Sequence, residues 1–250
     1  MSGHSKWASI KHKKAITDSR RGKTFTRLIK EITVAARAGG GDPEGNPRLR
    51  TAVTAAKAEN MPGDNIKKAI QRGTGELPGV TYEEITYEGY GCHGVAVIVE
   101  VATDNRNRTV SEIRHMFGRN GGNLGETGCV AWMFSKRGSI TVSKSSATEE
   151  QLMNTVLDAG AEDLRDDGEQ WGIVCPPAAL DPVVQSLKEA KIDVSTAEVT
   201  MLPQTFVKLA GKEAQQMLRM VEALEEHEDV QHVYSNFDFD ERELQEVSGG

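Results

Sequence analysis

The chain has 250 residues, of which 38% are apolar, 27% charged and 5% aromatic, and a net charge of −7. This composition suits a globular protein with small aliphatic cores and excludes a collagen-like or wholly disordered chain. The longest apolar run, 95–99, is too short to span a bilayer, and three dispersed cysteines (Cys92, Cys129, Cys175) with no CxxC pair argue against a disulfide framework or a structural zinc site and for a reducing, cytoplasmic setting.

Residues 1–75 hold 16 Lys+Arg against 6 Asp+Glu, a net of +10, whereas 76–250 hold 14 against 31, a net of −17. Such asymmetry points to a nucleic-acid or other anionic contact made by the basic part. The other way to use it is internal pairing of a basic domain with an acidic one. Residues 1–21, with Lys11, His12, Lys13 and Lys14 in a row, read as a basic arm. They loosely resemble a mitochondrial presequence, but the basic character continues to about residue 72, so the arm is expected to belong to the mature protein.

Phe25, Leu28, Ile29, Ile32 and Ala36 recur at helical spacing over 23–38, with Lys23, Arg27 and Lys30 on the opposite side. Glycines at 39–41 end this helix. Asn46 followed by Pro47 opens a second, since Asn is a favoured N-cap and Pro suits the first helical position. Its stripe is Leu49, Ala52, Val53 and Ala56. A third helix spans 62–72, with Ile66, Ala69 and Ile70 inward and Lys67, Lys68 and Arg72 outward. Gly73 is the expected residue just past its end, and 73–79 is expected to be a linker.

Beyond residue 80 the pattern alternates. Strands are expected at 82–88, 94–102 and 128–135, with a helix at 107–118. A second series follows: strand 138–143, helix 148–158, strands 162–166 and 171–175, helix 178–190, strand 193–201. This is the ferredoxin-like order β-α-β-β-α-β. A strand at 204–209, a helix at 212–226 and a strand at 229–235 complete the chain. The predicted class is α+β and multidomain: a basic arm and three-helix domain (1–75), then two ferredoxin-like domains. One of these is discontinuous (80–135 with 204–237). The other (136–203) is inserted at its central hairpin, and 238–250 form an acidic tail. The strand at 82–88 is expected at an edge of the outer sheet.

Enzyme signatures are sparse. Gly22-Lys23-Thr24 mimics the end of a P-loop, but Thr17 stands where the first glycine belongs. The histidines do not cluster into a zinc pattern. Cys92 and His93 are adjacent, which alone does not orient a nucleophile and base. Neither a catalytic site, a cofactor site nor a metal site is expected. Two loops stand out. Residues 104–109 (DNRNRT) enter a helix, where backbone N–H groups bind anions and Arg106 and Arg108 could grip phosphate; ordinary capping by Asp104 or Asn105 is the alternative. Tyr87 and Tyr90 lie in a glycine-bearing turn, where they could stack on bases or pack on the sheet.

Together the opening Gly3-His4-Ser5-Lys6-Trp7, the KHKK run, GGGDP at 39–43, Asn46-Pro47-Arg48-Leu49, YEGYG at 87–91, DNRNRT, GGNLG at 121–125 and AGAED at 159–163 resemble the YebC/PmpR family, in collinear order over residues 2 to about 237. Cys92-His93 and the acidic extension past Phe237 depart from its pattern. The resemblance implies three domains and no catalytic activity. It also implies a nucleic-acid partner: DNA for a probable transcriptional regulator, or ribosomal RNA for a ribosome-associated translation factor that relieves stalling on proline-rich nascent chains. The expected contacts are Lys6, Lys11, Lys13, Lys14, Arg20, Arg21, Lys23, Arg27 and Lys30 in the arm and first helix, with Arg106 and Arg108 in the loop. No membrane or small-molecule partner is expected. The sequence leaves the oligomeric state open, with a monomer the default expectation.

Overall fold

A computed structural model of the chain describes residues 18–239, with side chains from residue 22. It forms two compact units: 132–205, and the chain on either side of that segment.

The outer unit begins with α1 (Asp18–Gly39), α2 (Pro47–Ala58) and α3 (Gly63–Thr74). Leu28, Ile32, Ala35 and Ala36 of α1 bury against Leu49, Ala52, Val53 and Ala56 of α2 and Ile66 and Ala69 of α3, the faces that the 3.6-residue spacing selects. Each fully buried Leu or Ile contributes roughly 1.5–3 kcal/mol. Asn46 caps α2 by accepting from the Leu49 amide (3.1 Å). Its side-chain amide also donates to the Ala35 and Gly40 carbonyls (2.8 and 2.9 Å), tying the end of α1 to the start of α2. Gly73 is not the residue past the helix end. It lies within α3, and Gly75, at φ 83°, takes the left-handed position. Gly73 is glycine for closeness: an added Cβ would stand 2.4 Å from the Thr33 carbonyl oxygen and 2.7 Å from Ala36 Cβ of α1.

The chain continues through β1 (Glu83–Tyr90), β2 (Ala96–Thr103), α4 (Arg106–Arg119) and β3 (Asn123–Leu124). Of the strand expected at 128–135 only the last two residues are in a strand, as the start of a longer one. Residues 125–131 form a turn, and the next strand starts at Phe134. The inserted unit contains β4 (Phe134–Ser143), α5 (Glu149–Val156), β5 (Asp163–Asp166), β6 (Gln170–Cys175), α6 (Leu180–Glu189) and β7 (Val194–Pro203). Its antiparallel sheet runs β5-β6-β4-β7, the ferredoxin-like arrangement. Ile140, Val142 and Ile173 pack beneath Leu152, Val156, Val183 and Leu187 of the two helices. Thr148 and Gln151 form a capping box at the start of α5.

The outer unit resumes with β8 (Val207–Lys208), α7 (Gly211–Glu225), β9 (Val230–Ser235) and β10 (Phe237–Asp238). Its sheet runs β3-β1-β2-β9. This corrects the expected strand order. β1 is internal, not at an edge, and fills the place assigned to 204–209. That segment supplies only the short β8, which pairs in parallel with β10. Val97, Val99 and Val101 face the helices with Ile113, Phe117, Met217, Val221 and Leu224. Phe237 and Phe239 belong to this core, so the two residues after 237 are packed chain; the rest of the acidic tail lies outside the described residues. The other face of the sheet is buried too: α1 contacts β2 and β9, and Ala96, Ile98 and Val34 are buried.

Candidate nucleic-acid interface

Lys6, Lys11, Lys13 and Lys14 lie outside the described residues. Arg20 and Arg21 are in the first turn of α1, ahead of the first described side chain. Of the rest, the structure separates cations used internally from cations facing solvent.

Lys30 belongs to the first group, which corrects its assignment as a phosphate contact. The Lys23, Arg27, Lys30 stripe is solvent-facing only at its N-terminal end. At Lys30 the sheet domain covers it, leaving the residue 6% exposed. Its ammonium pairs with Asp229 Oδ1, donates to the Glu228 carbonyl (3.1 Å), and stands 5.5 Å from the centroid of the Tyr82 ring. Asp229 is fully buried. Its second oxygen accepts from Thr109 (2.7 Å), Arg108 (2.8 Å) and Thr103 (3.2 Å). Burial pushes this carboxyl up, but the hydrogen bonds from Lys30, Arg108 and Thr109 outweigh that and hold it well below the usual range.

Arg108 belongs to the same network while staying partly exposed: its guanidinium joins Asp229 and Asp104 (2.8 and 3.0 Å). In DNRNRT the capping alternative is realised, with Asn105 accepting from the Arg108 amide (3.1 Å). Arg106 stays exposed, with a long 3.4 Å contact to Glu83 as its one ion pair among the described residues. Two further cations bind the helical domain to the sheet domain. Arg48 forks between Glu31 (2.7 Å) and Glu84 (2.6 Å), and its proton is held more tightly by the hydrogen bond to Glu31 against the cost of burial. Arg37 donates to the Tyr82 carbonyl (2.8 Å).

In the second group, Lys23, Arg27, Arg50, Lys57, Lys67, Lys68 and Arg72 form no ion pair among the described residues. All except the half-buried Arg27 are exposed. Lys57 of α2 and Lys67 of α3 line one cleft together with Val53, Ile66 and Ile70, and the carboxylates Asp42 and Glu76 line it too. The spacing on α3 already places Lys67, Lys68 and Arg72 outward, but nothing in it says that two helices would bring cations to one cleft.

Tyr87 and Tyr90 lie in β1 and not in the expected turn, and the two side chains differ. Tyr87 is buried on the sheet, while Tyr90 is exposed and its hydroxyl donates to the Cys129 carbonyl (3.2 Å). Between them Glu88, a buried residue with no distinguishing sequence signal, accepts from the amides of Gly128 (2.7 Å), Val130 (2.9 Å) and Ala131 (2.7 Å). Burial raises this carboxyl and the three N–H groups outweigh it, leaving its pKa lowered. The Glu88 carboxylate thereby ties down 128–131, its main-chain carbonyl accepts from the Gly125 amide (2.8 Å), and residues 125–128 between these ties are exposed. Cys92 is buried, and burial pushes its thiol up and away from thiolate character. The His93 ring faces Glu213 (3.5 Å). Glu112, His227 and Asp229 bring three potential ligand groups together, but their atoms are already engaged: His227 Nε2 with Glu112 (2.8 Å), His227 Nδ1 with the Asp229 amide (3.1 Å), and Asp229 as above.

Comparison with known proteins agrees over nearly the whole chain. Residues 5–76 match the family model described as the TACO1/YebC protein N-terminal domain, and 82–237 match the TACO1/YebC second and third domain. A protein of Koribacter versatilis named probable transcriptional regulatory protein is 64% identical over 249 residues, covering 100% of both chains. One of the same name from Acidobacterium capsulatum is 65% identical, again over 100% of both. The crystal structure of the conserved hypothetical protein Aq1575 from Aquifex aeolicus superposes with a TM-score of 0.80 at 45% identity, covering 91% of this chain and 94% of that one. Among the described residues no helix is long and apolar enough to cross a membrane. Matched by family models from residue 5 to residue 237, with relatives of this identity along its full length, the chain belongs to the TACO1/YebC family.

Proposed function

We propose that the protein is a non-enzymatic, nucleic-acid-binding regulator of gene expression that acts in the cytoplasm and grips phosphate through its helical domain. The observation that carries this reading is the division of cations. Lys30, Arg37, Arg48 and Arg108 are engaged within the molecule, whereas Lys23, Arg27, Arg50, Lys57, Lys67, Lys68 and Arg72 form no ion pair among the described residues. Phosphate contacts of this kind supply affinity and a steep salt dependence, with little base reading. DNA is the first candidate. The relatives carry the name of transcriptional regulators, and α2 and α3 are joined by the short turn 59–62, with α3 exposing Lys67, Lys68 and Arg72. The arm residues Lys6, Lys11, Lys13, Lys14, Arg20 and Arg21, with Arg106, extend the same surface in this proposal.

A second reading, a translation factor held on ribosomal RNA, draws on the loop 121–128. A loop tied down by Glu88, with 125–128 exposed and Tyr90 beside it, suits recognition by shape and stacking. Crosslinking in cells followed by sequencing separates the two. Promoter fragments support the first, ribosomal RNA the second, and recovery of neither contradicts both. Changing Lys11, Lys13 and Lys14 to Glu tests the arm: affinity should fall by roughly 1 kcal/mol for each phosphate no longer neutralised, with the fold intact, and unchanged affinity removes the arm from the interface.

A further inference from the structure

We propose that the outer edge of β7 in the inserted unit is a pairing site for the same strand of a second copy of this chain. The two edges of that sheet differ sharply. β5 spans four residues, three of them charged (Asp163, Arg165, Asp166). A short, charged edge resists added strands. β7 spans ten residues with one charge, Glu198, and 195–199 are all exposed. It hydrogen-bonds to β4 on one side, and its outward main-chain groups have no partner among the described residues. A row of unpaired N–H and C=O groups is what an incoming strand satisfies.

The sequence of the strand indicates which strand fits. A bulge opposite Thr141 and Val142 disturbs the register at Ser195, and Pro203 ends the run, leaving 196–202 as the regular segment. Antiparallel pairing of this segment with itself about a two-fold at Val199 sets Ala197 against Met201 and Thr196 against Leu202. Glu198 faces Thr200, so no like charges meet. Val199 faces its own copy. This valine is 38% exposed, and its neighbour on β4 is Gly138, which has no side chain to cover it. The pairing would bury the one large apolar side chain that the isolated edge leaves in water. Sequence periodicity alone does not reveal which strand ends at an edge.

Sedimentation equilibrium of the full chain tests the proposal. Between about 1 µM and about 1 mM, where small interfaces associate, the mass should climb from 27.2 kDa toward twice that value. Val199→Lys and Val199→Glu, each placing like charges together at the two-fold, should stay at the single-chain mass, and an equimolar mixture of the two should recover the dimer. A wild type of single-chain mass throughout overturns the proposal, as does a Val199→Lys protein that still dimerises. Two monomeric variants that fail to associate when mixed overturn it equally.

Discussion

Lys30 and Asp229 are 199 residues apart in sequence and form one buried ion pair, through which the first helix of the helical domain is fastened to the start of β9. At Lys30 the polar side of α1, amphipathic by its spacing, is turned toward this carboxylate and away from solvent. Its polar stripe at Lys30 is as covered as its apolar stripe at Ile32. The helical domain is therefore fixed on the sheet domain by charge as well as by packing.

Lys30→Met is expected to destabilise the protein by about 3 kcal/mol, because it strips one partner from a fully buried carboxylate. Urea unfolding with both variants should show Asp229→Asn costing as much or more, since it takes the shared carboxylate from Lys30 and Arg108 together. A loss below about 0.5 kcal/mol in both, the range of ordinary surface changes, would mean the pair does not hold the domains together.

Acid should act through two carboxyls. Asp229 and Glu88 are both held below their ordinary values, so the folded state binds fewer protons at these sites than the unfolded chain. Their stabilisation is complete above the unfolded values, 3.8 and 4.5, and is lost as pH falls through the lower folded values. Unfolding midpoints measured from pH 7 down to about pH 3 should fall steeply below about pH 4.5. Asp229→Asn and Glu88→Gln should each be less stable at neutral pH and less sensitive to acid. An acid limb of unaltered steepness in both would assign acid sensitivity elsewhere.

Gly73→Ala is expected to cost about 1–3 kcal/mol by forcing α3 away from α1, because the new methyl would meet the Thr33 carbonyl. In a free helix the same change would be stabilising. A raised melting temperature would show that the helices can separate without loss.

The three helices, their apolar faces and the Asn46 cap were legible because each is written within a few residues. The inserted unit was legible for the same reason, its elements following one another in sheet-forming order. The outer sheet was misread where local pattern gives way to long-range pairing. The segment 128–135 alternates well enough for a strand, yet Glu88 from β1 captures the amides of Val130 and Ala131, and no ladder forms before Phe134, where β4 begins. Lys30 and Arg108 were assigned to phosphate because a stripe of cations looks alike whether water or a buried aspartate faces it. Asp229 itself carries no local mark. Lys67 and Lys68 lie on α3, whose outward face follows from its own spacing, and they are exposed as expected.

If the unpaired cations of the helical domain, and not the buried ones, grip nucleic acid, the salt dependence of binding will show it. Binding to duplex DNA and to single-stranded RNA should be measured for the wild type, for Lys67→Glu/Lys68→Glu/Arg72→Glu and for Lys30→Met. The triple variant should bind more weakly, with the log–log salt slope shallower by about 0.9 on duplex and about 0.7 on single strands for each phosphate no longer neutralised. Lys30→Met, though less stable, should keep the wild-type slope. Wild-type binding that ignores salt, or a triple variant that binds with undiminished slope and affinity, would overturn this reading of the cations.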